Sequence, residues 1–279
     1  MTALHPFNTA FAWQSAAAVS GRATPTFLSS EQTEQFDRDG YCLVEHAFDA
    51  ATIGALTAAI DPHERDATEF LRTQPDGAMF IAQADAITFT AHLAGHDETC
   101  RDFTRHPSLL GIVGDLIGPD VRLYWDQAVY KKPEPTREFP WHQDNGYAFA
   151  EPQQYLTCWV PLTDATVSNG CPWVAPGMHR RGTFLHRLGP YGFTCLDTVD
   201  DAVPVEAPAG SVVVFSSLTP HLTGANVTET VRKAYIVQYA PSGAAVRTGI
   251  GADDLTVADQ PDRQYMVLRN GSPVTGRIG

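Results

Sequence analysis

The chain reads as a mainly β fold, a sandwich or jelly roll with helices on one side, and three observations carry that reading. Strand-like runs recur from Val121 onward at short intervals, each closed by a Gly, Pro or Asn turn. Helical patterns are confined to the residues before Val121. The composition, with 22 Gly and 20 Pro in 279 residues, suits many short strands joined by tight turns.

Taken in order, residues 1–26 are small and weakly apolar, with no Lys or Arg before the apolar part and with Gln14 and Ser15 interrupting it. That does not fit a signal peptide, and an irregular arm over the body is expected. Residues 27–279 are expected to form a single domain: a helical scaffold over about 27–120, a β core over about 121–242 and a C-terminal wrap over 243–279. In the scaffold, Ser29 supplies a hydroxyl cap for a helix ending near Gly40, and Tyr41 to Phe48 reads as a short strand. Asp49 caps a second helix that Asp61-Pro62 should end. Met79-Phe80-Ile81 reads as a strand, and Phe103 to Ile117 as one amphipathic helix closed by Gly118-Pro119. In the core, strand signals fall at Val121–Lys131, Phe139–Asp144, Tyr155–Leu162, Cys171–Ala175, Val203–Ala207, Ser211–Ser216 and Arg232–Tyr239.

Charge narrows the partners. The 19 Lys and Arg face 32 Asp and Glu, a formal charge of −13, and no basic run of five or more occurs, which argues against nucleic acid or an anionic membrane as partner. Five cysteines, odd in number and without a Cys-x-x-Cys spacing, read as reduced thiols of a cytoplasmic protein. No window is long and apolar enough for a spanning helix, so a soluble protein is expected, and a monomer.

The chemistry centres on Trp141-His142-Gln143-Asp144. Residues two apart on an extended strand share a face, so His142 and Asp144 present an imidazole and a carboxylate to one point. His221, brought round after the apolar run Gly210–Phe215, completes a two-histidine, one-carboxylate face with open positions opposite. Arg232 follows early in an alternating strand and suits a dicarboxylate ligand, gripped at one end by the guanidinium and chelated to metal at the other. The hydroxyl of Thr223 can donate to the same carboxylate. His92 and His96, four apart, lack the Glu of a zinc-protease motif and read as structural or exposed; His179, Arg180 and Arg181 read as a solvated turn.

Pro140-Trp141-His142-Gln143-Asp144, Cys158-Trp159-Val160-Pro161-Leu162, the run Asn169 to Arg180, and His221 with Arg232 together resemble the phytanoyl-CoA dioxygenase family of Fe(II)/2-oxoglutarate oxygenases. The likeness covers roughly Phe27 to Ser242. It implies a double-stranded β-helix, the cupin-like jelly roll, with His142, Asp144 and His221 as iron ligands and Arg232 as the 2-oxoglutarate anchor. By position in the same pattern Thr223 supports that anchor, and Gln127, Lys132 and Trp159 lie near the co-substrate. The implied reaction consumes 2-oxoglutarate and O2, releases succinate and CO2, and hydroxylates an unactivated C–H bond. Asp144 keeps the carboxylate that halogenating relatives lack, which favours hydroxylation. The residues after Asp144 do not resemble the ectoine-type continuation and match the acyl-CoA type only in part. The expected substrate is therefore a small or medium-sized apolar or amphipathic metabolite, with Tyr147 and Phe149 as pocket residues. Two rivals stand beside this: a jelly-roll protein that binds a metal or ligand without turnover, and a metal cupin isomerase or lyase with no co-substrate, which leaves Arg232 without a purpose.

Overall fold

The computed structural model describes residues 2–8, 11–249 and 254–275. Its first part is helical: α1 (Ala16–Ser20), α2 (Ser30–Asp39), the strand β1 (Tyr41–Val44), α3 (Ala50–Arg72), a hairpin of β2 (Ala78–Met79) and β3 (Ala82–Gln83), β4 (Ile87–Ala91), then α4 (Leu93–His96), α5 (Glu98–Phe103) and α6 (Pro107–Leu116). The β part follows as β5 (Val121–Lys131), β6 (Phe139–His142), β7 (Ala150–Glu151), β8 (Leu156–Pro161), β9 (Pro172–Val174), β10 (Arg187–Gly189), β11 (Gly192–Thr194), β12 (Val203–Pro204), β13 (Val212–Ser216), β14 (His221–Thr223) and β15 (Arg232–Pro241). Four short strands end the described chain: β16 (Ala245–Arg247), β17 (Leu255–Val257), β18 (Met266–Arg269) and β19 (Ser272–Pro273).

The strands make a large sheet in the order β1-β13-β8-β15-β5-β4-β3-β2 and a smaller one in the order β12-β9-β14-β6. The pairings in both are antiparallel. Side-chain alternation on the large sheet divides the core in two. Val212, Val214, Cys158, Val160, Tyr235 and Val237 face outward onto the helices, with Phe36, Ile53, Leu56, Leu109 and Ile112 packed on them. Val213, Phe215, Trp159, Ala234 and Ile236 face inward and meet Phe139, Cys171 and Val174 of the smaller sheet. With both faces covered, these strands read in sequence as unbroken apolar runs, and each fully buried Val, Ile or Phe contributes roughly 1.5–3 kcal/mol. The fold is the jelly roll with helices on one side that the sequence predicts.

The scaffold departs from expectation in local detail. Helix α3 does not stop at Pro62 but runs to Arg72. Pro62 forfeits one backbone bond, while Glu64, Thr68 and Leu71 beyond it are buried, and the Thr68 and Thr88 hydroxyls both donate to Glu64 Oε1 at 2.8 and 2.9 Å. The single helix over Phe103–Ile117 is instead α5 and α6, broken at His106 because a residue before proline resists the helical region and Pro107 is suited to start a new helix. The strand at Met79–Ile81 is a hairpin whose turn falls on Phe80, at φ 51°. Within residues 1–26 the arm is not wholly irregular: Ser15 caps α1, and Leu4 makes a β-bridge to Phe184. All five cysteines are buried and free, and no described helix is long and apolar enough to cross a membrane.

One glycine joins scaffold to core. Gly40 closes α2 at φ 84°, and a Cβ there would lie 2.5 Å from both His179 Nδ1 and Thr219 Oγ1. The Thr219 hydroxyl donates to the Gly40 carbonyl at 2.7 Å, tying the end of α2 to the turn that precedes His221. Gly40→Ala is expected to cost roughly 2–4 kcal/mol, read as a lower urea midpoint at unchanged m-value.

Candidate active site

The smaller sheet builds the centre by register. Strand β14 lies antiparallel on β6 with His221 directly opposite His142, and the two imidazole centroids are 4.1 Å apart. Gln143 stays extended (φ −111°, ψ 142°), so Asp144 returns to the His142 face just as the chain enters a short 3-10 turn. Asp144 Oδ1 is 4.0 Å from His142 Nε2 and 3.9 Å from His221 Nε2. Among the described residues these three form the group able to hold a metal, with ligand atoms within 4.8 Å of one another.

The surroundings set each ligand atom. His142 Nδ1 lies 2.8 Å from the Pro140 carbonyl and His221 Nδ1 3.0 Å from the Thr219 carbonyl. Each ring therefore donates Nδ1–H to its own strand and leaves the Nε2 lone pair facing Asp144. Burial, reinforced by the neighbouring His221, lowers the His142 pKa well below the ordinary histidine value, which keeps the ring neutral as a metal ligand must be. The Thr157 hydroxyl donates to Asp144 Oδ2, and Gln238 Nε2 donates to Thr157 at 3.1 Å. One carboxylate oxygen is thus tied to the large sheet and the other is free for a cation. Gln143, pointing the opposite way, is buried and donates from Nε2 to the Gly182 and Leu218 carbonyls at 2.9 and 2.6 Å, which pins the loop carrying Asp144.

Arg232 opens β15 on the inner face. It is 1 % exposed, its guanidinium carbon sits 5.2 Å from the Trp159 ring centroid, and none of its three side-chain nitrogens has a hydrogen-bond partner among the described residues. Burial pulls its pKa down to about 10, still charged at neutral pH. Leaving a buried cation unpaired costs several kcal/mol, so the arrangement is one that a ligand carboxylate completes.

A family model described as phytanoyl-CoA dioxygenase matches residues 36–234, a span that holds the triad and Arg232. The chain belongs to the phytanoyl-CoA dioxygenase family. Membership places it among the iron- and 2-oxoglutarate-dependent oxygenases. It is 26% identical to the mouse phytanoyl-CoA dioxygenase domain-containing protein 1 over 78% of this chain and 92% of that protein. To the ectoine dioxygenase of Bordetella parapertussis it is 25% identical, over 76% of this chain and 75% of that one. Among solved structures, the carbocyclase SnoK from nogalamycin biosynthesis superposes with a TM-score of 0.66 at 24% identity, covering 92% of this chain and 98% of SnoK. EctD from S. alaskensis gives 0.62 at 20% identity, covering 88% and 84%. At these identities the two structures establish the shared fold.

Within this family fold the remaining sequence-selected residues divide. Trp159, Ile236 and Gln127 stand opposite one another across β8, β15 and β5 on the inner face, and Gln127 Oε1 accepts from Trp125 Nε1 at 3.1 Å. Thr223 lies beside Lys131, whose Nζ donates to the Thr223 carbonyl at 3.1 Å and sits 3.5 Å from its hydroxyl. Tyr147 reaches the centre, its ring 5.4 Å from that of His142. Three expectations need correction. Lys132 does not face the site: its Nζ donates to Thr68 Oγ1 at 2.8 Å and the Ala84 carbonyl at 2.5 Å and lies 3.3 Å from Glu64, all on the helix side of β5. Phe149 packs against the N-terminal arm, 4.6 Å from the His5 ring and 5.7 Å from Phe7. His179 is fully buried, not part of a solvated turn.

The residue that sequence reasoning missed is Lys131. It is Arg232's direct cross-strand partner and 1 % exposed, and burial followed by repulsion from Arg232 pulls its pKa down to about 7. Strand parity carried the signal, since a strand that turns Gln127 inward also turns Val129 and Lys131 inward and Lys132 outward. The sign of its effect on stability follows. Unfolded Lys131 keeps its proton to about pH 10.4 while the folded residue loses it near 7, so its burial penalty is full below pH 7 and fades as pH rises through that window. Lys131→Met is expected to stabilise the ligand-free protein by roughly 1–4 kcal/mol at pH 6 and by much less at pH 9, measured by urea unfolding at both pH values.

Proposed function

We propose that the protein is an Fe(II)- and 2-oxoglutarate-dependent hydroxylase of an unactivated C–H bond in a small or medium-sized apolar or amphipathic metabolite. The observation that carries this is the guanidinium of Arg232, without a hydrogen-bond partner among the described residues and buried on the inner face of the large sheet, the face that meets the smaller sheet bearing His142 and His221. A metal site alone does not account for a buried cation whose three nitrogens find no acceptor among the described residues; a co-substrate with a carboxylate at its far end does. That is also why the co-substrate-free isomerase or lyase is the weaker reading.

His142 Nε2, His221 Nε2 and Asp144 Oδ1 would hold Fe(II), and the donor set of two imidazoles and one carboxylate suits it. Arg232, flanked by Lys131 and the Thr223 hydroxyl, would take the distal carboxylate of 2-oxoglutarate. Iron held there with 2-oxoglutarate would supply the oxidation by O2, one oxygen atom passing to succinate with loss of CO2 and the other to the substrate C–H bond. The chain supplies geometry and a dry enclosure. Phe139 and Phe215 pack at 4.9 and 4.4 Å from His142 and His221, so water is kept from the flanks of the centre and the charges inside act at low dielectric. Thr157 holds the second oxygen of Asp144, so the carboxylate cannot swing away from its ligand position.

Two measurements test this. Anaerobic addition of Fe(II) and then 2-oxoglutarate is expected to raise a weak visible charge-transfer band in the wild type. The band should be lost in Asp144→Ala, and Arg232→Ala should need at least about a hundredfold more 2-oxoglutarate, the loss of a charge-assisted bidentate pair. Metal binding without a band would return the centre to a binding protein or a metal cupin. The second measurement is protonic. At pH 8 Lys131 is mostly neutral, and a carboxylate placed beside it favours the ammonium form, so 2-oxoglutarate binding should take up part of a proton. Calorimetry in two buffers of different ionisation heat reads that uptake, and Lys131→Met should abolish it.

A further inference from the structure

Two hairpins, β2–β3 and β10–β11, carry Phe80 and Phe193, and with Tyr147 of the loop after Asp144 these rings form an edge-to-face series running outward from His142. His142 is followed by Tyr147 at 5.4 Å and 84°, Tyr147 by Phe193 at 5.2 Å and 90°, and Phe193 by Phe80 at 6.1 Å and 66°. Exposure rises along the series: Tyr147 and Phe193 are half-buried, and Phe80 is 64% exposed at the tip of the β2–β3 turn, held at φ 51°. The hairpins are clamped together. Gly192 of β11 comes so close that a Cβ would lie 2.8 Å from the Tyr147 hydroxyl and 3.1 Å from Ile81. Arg137 donates to Gln83 Oε1 at 2.6 Å and the Ile81 carbonyl at 3.0 Å on one hairpin and lies over the Tyr191 ring of the other at 4.7 Å. An exposed phenylalanine held at positive φ at the end of a ring series that starts beside a buried centre is costly to keep and marks a surface for an apolar ligand.

Resting on the oxygenase reading, we propose that the substrate is a flat, largely apolar ring system, aromatic or fused, which packs along the outer side of this series against Phe80, Phe193 and Tyr147. Rings set edge-on to one another leave faces and edges free for a further ring, and such pairings favour flat partners over flexible chains of equal area. Among the described residues the basic pair Arg180 and Arg181 is engaged within the protein and shares no contact with this series. Arg180 donates to the Asp37 carbonyl at 2.7 Å, and Arg181 donates to the Thr2 carbonyl at 3.2 Å and covers the Phe184 ring.

The test uses the protein loaded with Fe(II) and 2-oxoglutarate under nitrogen, with 9-phenanthrol as the flat probe and decan-1-ol as the linear one, followed by calorimetry. Formation of the charge-transfer band is read first; its absence in the wild type overturns the oxygenase reading and this one with it. With the band present, phenanthrol is expected to bind at least about tenfold tighter than decanol. Phe193→Ala and Phe80→Ala should each weaken phenanthrol roughly three- to tenfold with 2-oxoglutarate affinity unchanged, and Phe193→Leu should weaken phenanthrol but not decanol. Equal binding of the two probes, or variants with wild-type phenanthrol affinity, would overturn the proposal.

Discussion

The antiparallel register of β14 on β6 is the constraint on which the centre depends. It sets His221 opposite His142, and because side chains alternate along a strand, a slip of one residue would turn one imidazole out of the interior. The register is fixed on both sides of β14. Strand β9 pairs Val174 with the same His221, and the Thr219 hydroxyl ties the turn before it to Gly40 at the end of α2. The helical scaffold, remote from any chemistry, thereby fixes where the second histidine stands.

Around that pairing the interior holds polar groups that a core built only for stability would exclude. Arg232 and Lys131 face each other across β15 and β5, both buried and of like charge when Lys131 is protonated, and among the described residues Lys131 alone of the two finds a protein acceptor. Like charges in a low-dielectric interior repel, and their burial is opposed by desolvation. The apolar packing of Trp159, Ile236, Phe215 and Val213 along the same face offsets that cost. The triad shows the same economy: every atom not needed as a ligand, from both Nδ1 atoms to Asp144 Oδ2, is already hydrogen-bonded.

Much of the architecture was legible because it rests on local periodicity. The apolar run before His221 is a buried strand, and alternation on either side of Gln143 puts His142 and Asp144 on one face. Readings failed where a distant contact outweighed a local rule. Pro62 does not end its helix because Glu64 and Thr68 are buried and bonded to Thr88 beyond it. Phe149 is claimed by His5 and Phe7 of an arm that no local pattern connects to it.

By itself the sequence determined the fold class and the family, and it singled out His142, Asp144 and His221, which the fold brings together as a group able to hold a metal, because strand parity orders the first two and residue type selects the third. Only the tertiary structure decided which lysine faces the arginine, which oxygen of Asp144 is free, and which aromatic rings stand next to His142. Those depend on pairings between segments far apart in the chain, such as Lys131 with Arg232 and Tyr147 with Phe193. Cross-strand register and hairpin packing set them, and neither is encoded in the spacing of neighbouring residues.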